Sequence, residues 1–127
     1  MDLPSSDMAQ IAVSIVVPVR NEAENIVPLI AEIAAALEHR WIYEMIYVND
    51  GSTDATSERL LAAMRERPNL RQIRHTISSG QSAAVRSGVR AARATIVATL
   101  DGDGQNNPAF LPDLIAEIGR ASCRERV

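Results

Sequence analysis

Cysteine occurs once in the 127 residues, at Cys123, so neither a disulfide framework nor a cysteine-rich metal site is available. Histidine occurs twice, at His39 and His75, too few and too far apart to mark a zinc site. Aromatic residues make up 3% of the chain, and no basic stripe is interleaved with them, which argues against nucleic acid as a partner. No apolar run approaches the roughly 18 residues of a membrane span. Residues 1–10 are polar and acidic, without the basic flank and apolar centre of a signal peptide, so the chain reads as cytosolic. The first apolar segment does not lead into Gly-x-Gly-x-x-Gly, and no Gly-Lys-Ser/Thr phosphate loop follows. A nucleophile elbow is missing as well, and His75, without an evident partner, reads as a loop residue.

What remains is the composition of one soluble globular domain: 46% hydrophobic, 23% charged, net charge −3 from 13 basic and 16 acidic residues. Residues 1–10 read as a loose tail and residues 11–116 as the domain. Residues 12–19 form a nearly continuous apolar run, as in a strand buried on both faces. Ile26, Ile30, Ile33 and Leu37 recur at helical spacing beside Leu29 and Ala34, with Glu32 and Glu38 on the wetter side. Asn25 is the expected N-cap, which puts Pro28 in the first turn. A second strand spans residues 45–49, with a possible start at Tyr43, and a helix over 54–67 turns Leu60, Leu61 and Met64 inward behind Asp54 as cap. A weaker strand at 70–74, a loop at 75–80 and a helix over 82–93 follow. That helix carries a small-residue face of Ala84, Val85, Gly88, Val89 and Ala92, with Arg86, Arg90 and Arg93 in solvent. A strand at 95–100 precedes Asn107-Pro108, which opens a last helix bearing Phe110, Leu111, Leu114 and Ile115.

The order β-α-β-α-β-α-β-α predicts an α/β fold, a Rossmann-like open parallel sheet with helices on both faces. Ligands of such sheets bind beyond the carboxyl ends of the strands. The polar clusters at 18–22, 49–54, 78–81 and 101–105 all lie there, far apart in sequence yet expected to converge on one edge.

In the last cluster an apolar strand stops at Asp101-Gly102-Asp103-Gly104-Gln105. Two carboxylates this close repel unless water or a cation separates them. Oxygen ligands on a short turn suit a hard divalent cation, Mg²⁺ or Mn²⁺, which keeps waters and shares itself with substrate phosphates.

Four blocks together resemble the family 2 glycosyltransferases of GT-A fold, in the branch acting on dolichyl or polyprenyl phosphate. They are Val16-Val17-Pro18-Val19-Arg20-Asn21-Glu22-Ala23-Glu24-Asn25, Val48-Asn49-Asp50-Gly51-Ser52-Thr53-Asp54, Gly80-Gln81-Ser82-Ala83-Ala84 continuing to Gly88, and Leu100 to Gln105 with Pro108. The resemblance implies that Pro18, Arg20 and Glu22 border the nucleotide, with Gly80 and Gln81 near the diphosphate. It implies that Asp50 accepts hydrogen bonds from N–H groups of the base. Asp101 and Asp103 become an Asp-x-Asp pair contacting ribose and the metal, and Gln105 a further metal ligand. Three positions depart from the pattern: Gln81 where many relatives have lysine, Arg20 where an aromatic is frequent, and Asn49 where Asp is frequent.

The activity so implied is inverting transfer of a hexose from a GDP- or UDP-sugar to a polyprenyl phosphate. It would take place at the cytosolic membrane face, with membrane contact through chain beyond this stretch. The stretch itself is then expected to bind donor weakly and to turn nothing over. A transferase acting on a saccharide hydroxyl and a non-catalytic nucleotide-binding module are the alternatives. Residues 117–127 break the apolar pattern and resemble the translation of a common sequencing adapter, so the native sequence is expected to stop near Ala116, with Cys123 uninformative about redox compartment.

Overall fold

The computed structural model describes residues 11–103 and 107–126, with side chains as far as Ile118. The elements are β1 (Val13–Val19), α1 (Ala23–Leu37), β2 (Tyr43–Asp50), α2 (Thr56–Glu66), β3 (Leu70–His75), α3 (Gln81–Ala91), β4 (Ile96–Thr99), a 3₁₀ turn (Pro108–Phe110) and α4 (Leu111–Arg126). The strands form one sheet in the order β3-β2-β1-β4, and every pairing is parallel.

β1 and β2 lie at the centre and are buried along their whole length, which is why residues 15–19 and 45–48 run apolar without alternation. Successive side chains still go to opposite faces. Val13, Ile15, Val17 and Val19 join Met45 and Tyr47 in a layer with Ile26, Leu29, Ile30, Ile33 and Leu37 of α1, Leu60 of α2, and Leu111 and Ile115 of α4. Val16, Ile46 and Val48 face the other way, onto Ala84 of α3. Three helices thus cover one face and α3 the other, as the element order predicts.

Two helix starts differ from expectation. α1 begins at Ala23, not behind Asn25, so Pro28 sits in the second turn. The helix can start early because its first N–H groups find partners on the next loop: Glu22 N–H donates to Thr56 Oγ1 (3.0 Å) and Ala23 N–H to Asp54 Oδ2 (3.3 Å). Pro28 withholds the N–H that the Glu24 carbonyl would accept, and both residues are exposed, so water can replace it. α2 begins at Thr56, with Asp54 Oδ1 accepting from the Thr56 N–H (2.9 Å). Asp54 therefore caps two helices at once, and these hydrogen bonds, Thr56 first, hold its carboxyl below the ordinary value. On α2, Leu60 is buried while Leu61 is 49% exposed, so Leu61 lies off the face that meets the sheet. Ala63 and Met64 complete the inward stripe.

α3 lies close to the sheet because Gly88 has no side chain. A Cβ there would sit 2.3 Å from Val16 Cγ1. Gly88→Ala is expected to lower stability despite a gain of roughly 1 kcal/mol in helix propensity, because overpacking costs about 1–3 kcal/mol. The check is a thermal melt, with Tm expected to fall by a few degrees.

At the amino-terminal edge, Glu44 gathers a buried network. Its carboxylate accepts from Ser14 Oγ (2.6 Å), Arg71 Nη2 (2.9 Å) and the Arg93 N–H (2.8 Å), while Arg71 also donates to the Ala91 carbonyl (2.7 Å). Burial pushes the Glu44 carboxyl up, but these donors outweigh it and hold the group below its ordinary value.

α4 continues across Ala116 to Arg126, so no break in secondary structure marks the boundary expected there. No helix among the described residues is long and apolar enough to cross a membrane.

Candidate functional site

At the carboxyl edge the loops after β1, β2, β3 and β4 enclose an open cleft of about 360 Å³. Its wall contains Pro18, Arg20, Glu22, Asp50, Gly80, Gln81, Asp101 and Asp103, all expected from sequence. Val19, Ser78, Ala84 and Gly102 complete it. Gln105 lies outside the described residues.

Pro18 is not the end of β1. It pairs in register with Val48, and the strand continues to Val19. Proline is tolerated because alternate residues bond to alternate neighbours. The Val16 carbonyl accepts from Leu100 N–H (3.0 Å), so the missing donor of Pro18 points to the same side, where β4 has already ended at Thr99.

Asn21 then turns the chain with φ of 55° and laces two loops together. Its Oδ1 accepts from the N–H groups of Thr53 (2.8 Å) and Asp54 (3.3 Å), and its own N–H donates to Ser52 Oγ (2.9 Å). This lacing presents Arg20 and Glu22 to the cleft. Glu22 caps α1 by position only; its Oε1 accepts from Asn25 Nδ2 (2.7 Å). Asn49 uses both ends of its amide, donating to Gln72 Oε1 (3.0 Å) and accepting from Ser52 N–H (3.1 Å). An aspartate there would lose the donor.

Opposite, the Asp101-Gly102-Asp103 turn is pressed onto the end of β1. A Cβ on Gly102 would meet Val19 Cγ1 at 2.3 Å and the Pro18 carbonyl oxygen at 2.9 Å. The glycine is therefore needed for close approach. Gly102 is buried and its two neighbours are exposed, so both carboxylates reach solvent at the cleft. Gln81 Nε2 reaches across from the start of α3 to Asp101 Oδ1 (3.1 Å).

Among the described residues no group of three His, Cys, Asp or Glu gathers to hold a metal. Two exposed carboxylates on a tight turn fit a hard cation that takes its other oxygens from water and a diphosphate. A caged structural ion would need more protein ligands than these.

Asp50 lines the cleft as expected and is also held by the protein itself. It is 4% exposed and has four hydrogen-bonding partners within the protein. Oδ1 accepts from Ser79 N–H (2.8 Å) and pairs with His75 Nδ1 (2.8 Å); Oδ2 accepts from Gly80 N–H (2.9 Å) and Ser78 Oγ (3.0 Å). These four contacts match the roughly four lone-pair sites that a carboxylate offers. Burial raises the Asp50 carboxyl, yet the donors of Ser79, His75, Gly80 and Ser78 together hold it well below the usual carboxylate range.

His75, read from sequence as a loop residue without partner, ends β3 and contacts both Asp50 and Ser87. No local pattern marks it, because both partners are brought up by strand pairing and helix packing. Ser78 stood within a flagged polar cluster but was not singled out.

The sequence matches the family described as Glycosyl transferase family 2 over residues 14–123. It is 41% identical over 111 residues to a dodecaprenyl-phosphate galacturonate synthase of Rhizobium johnstonii, covering 84% of this chain and 32% of the relative. An undecaprenyl-phosphate 4-deoxy-4-formamido-L-arabinose transferase of Pseudomonas fluorescens is 38% identical over 108 residues, covering 83% and 32%. The chain spans about a third of the length of these curated relatives. Among solved structures, a Pyrobaculum calidifontis mannosyltransferase in complex with GDP-Man and Mn²⁺ aligns with a TM-score of 0.67 at 27% identity, over 74% of this chain and 28% of that one. S. aureus TarS 1–349 in complex with UDP-GlcNAc aligns with a TM-score of 0.72 at 25% identity, over 86% and 31%. A match over most of its length, together with the strand-end cleft and its Asp-Gly-Asp turn, shows that this chain belongs to glycosyl transferase family 2.

Proposed function

We propose that the chain is the donor-binding part of an inverting, metal-dependent glycosyltransferase that moves a sugar from a GDP- or UDP-sugar to a polyprenyl phosphate. The carrying observation is the convergence of eight expected residues, from four separate strand ends, on one cleft. The acceptor class is supported by the printed names of the relatives, a dodecaprenyl-phosphate and an undecaprenyl-phosphate enzyme. Those two names carry different sugars, so the hexose expected from sequence is the finer part of the proposal. The donor class is supported by neighbours complexed with GDP-Man and with UDP-GlcNAc.

Asp101 and Asp103 would hold Mg²⁺ or Mn²⁺, joined by Gln105. The ion would offset the negative charge that builds on the departing nucleoside diphosphate. The amino-terminal end of α3, at Gly80 and Gln81, opens into the same cleft, and its partial positive charge favours the diphosphate. Pro18, Arg20 and Glu22 form the opposing border for the nucleoside. A lipid phosphate is already ionised and needs little help from a general base. Such an acceptor would put the reaction at a membrane, in this proposal at its cytosolic face.

The test has two parts. Calorimetric titration of GDP and UDP, each with and without Mn²⁺, is expected to show metal-dependent binding of one of them. Labelled donor supplied to the intact protein in vesicles containing undecaprenyl phosphate is expected to label the lipid. A folded protein with no metal-dependent binding overturns the donor assignment. Transfer to a saccharide hydroxyl and not to the lipid overturns the acceptor assignment.

A further inference from the structure

The most complete hydrogen-bonded cluster near the cleft contains a histidine that the donor reading does not use. We propose that His75 is a positioning residue: through Asp50 it latches the Ser78–Gly80 segment, the cleft wall on which the donor nucleotide rests.

The geometry joins three elements. His75 ends β3, its Nδ1 lies 2.8 Å from Asp50 Oδ1 at the end of β2, and its Nε2 lies 2.8 Å from Ser87 Oγ on α3. A neutral ring that donates from Nδ1 to the carboxylate accepts at Nε2 from the serine hydroxyl, so both ring nitrogens and the hydroxyl are satisfied. The ring is thereby fixed at both ends, and the carboxylate with it. Asp50 in turn takes the N–H groups of Ser79 and Gly80 and the hydroxyl of Ser78, which carry no regular structure of their own. This segment leads directly into Gln81, the first residue of α3 and the partner of Asp101. A charge-assisted bond to a carboxylate is stronger than a neutral one, and loss of one donor leaves an unmet lone pair on a buried acid. The contacts thus run in an unbroken chain from His75 to the Asp-Gly-Asp turn. His75 touches no ligand in this arrangement; its effect is to hold the wall in one conformation before donor arrives.

The inference rests on the donor reading for its functional consequence, but its structural part is measured separately. Hydrogen–deuterium exchange of a peptide spanning residues 76–82 and the Kd for GDP or UDP with Mn²⁺ are compared in the intact protein and its variants. His75→Leu, similar in size but without donors, is expected to speed exchange of this peptide and to raise Kd about tenfold. His75→Asn, whose side-chain NH₂ can stand in for Nδ1–H, is expected to restore both. Ser87→Ala, which removes only the anchor on α3, is expected to fall between wild type and His75→Leu. Unchanged exchange and Kd in folded His75→Leu overturn the proposal. A fall in Tm with both readouts unchanged also overturns it, because that is what a purely structural histidine gives. Should the wild type bind neither nucleotide, the donor assignment falls while the exchange comparison still decides the latch.

Discussion

Asp103→Ala and Asp101→Ala are each expected to weaken Mn²⁺-dependent nucleotide binding by at least about 100-fold, because loss even of a residue supporting a metal ligand costs 10–100-fold. Stability is expected to change little, since both carboxylates are exposed. The sign without metal is the sharper result. A bare carboxylate repels the diphosphate, so removing it is expected to leave nucleotide affinity unchanged or raise it when Mn²⁺ is absent. A structural role for the turn would lower affinity under both conditions. Calorimetry of both variants with and without Mn²⁺ separates the two, and equal loss in both sets would remove the pair from the metal site. Asp101 adds a second effect, since its loss also frees Gln81 from its 3.1 Å contact across the cleft.

Glu44→Gln is expected to cost about 3 kcal/mol of stability, the scale for breaking a buried, hydrogen-bonded ion pair by removing one partner. Glu44 is 2% exposed, and its neutral replacement leaves the Arg71 charge uncompensated. The network lies at the opposite end of the sheet from the cleft, so nucleotide affinity of the folded variant is expected to stay as in wild type. Acidity gives an independent check. The carboxyls of Glu44 and Asp50 are both held below their ordinary values in the folded chain. The unfolded chain therefore takes up protons first as pH falls. The stability they contribute is complete above the ordinary carboxylate range near 4 and is lost as pH drops through that range toward the folded values. Wild type is expected to lose stability below about pH 4, and its advantage over Glu44→Gln to shrink over the same interval. Urea midpoints at a series of pH values measure both; a difference that stays constant down to pH 3 would show that ionisation of Glu44 is not its source.

Much of the architecture can be read from periodicity because burial is dictated locally. The apolar run of residues 13–19, interrupted only by Ser14, has no wet face, so it belongs at the centre of a parallel sheet, and it lies there between β2 and β4. Ile26, Ile30, Ile33 and Leu37 give the buried stripe of α1 residue by residue. The helix starts were less legible, since their N–H groups are satisfied from another loop. Asn25 looks like a cap in one dimension, while Asp54 and Thr56 provide the partners in three. Leu61 misled for a related reason: composition cannot say which of two adjacent leucines the sheet will cover.

The site divides along the same line. Strand ends in a parallel sheet share an edge by construction, so clusters at 18–22, 49–54, 78–81 and 101–103 had to meet, and sequence alone placed their residues on one cleft wall. Sequence also named the Asp-Gly-Asp turn, because two acids separated by glycine have no use in a core. It could not show how acceptors are shared out. Asp50 accepts from Ser78, Ser79 and Gly80 and pairs with His75, and His75 reaches Ser87 as well. Hydrogen-bond capacity is a property of every group within about 3 Å, whatever its distance along the chain. The order of apolar and polar residues therefore determined the fold class and the edge that carries the cleft. Only the packing of β2, β3 and α3 decided which side chains gather around Asp50 at that edge.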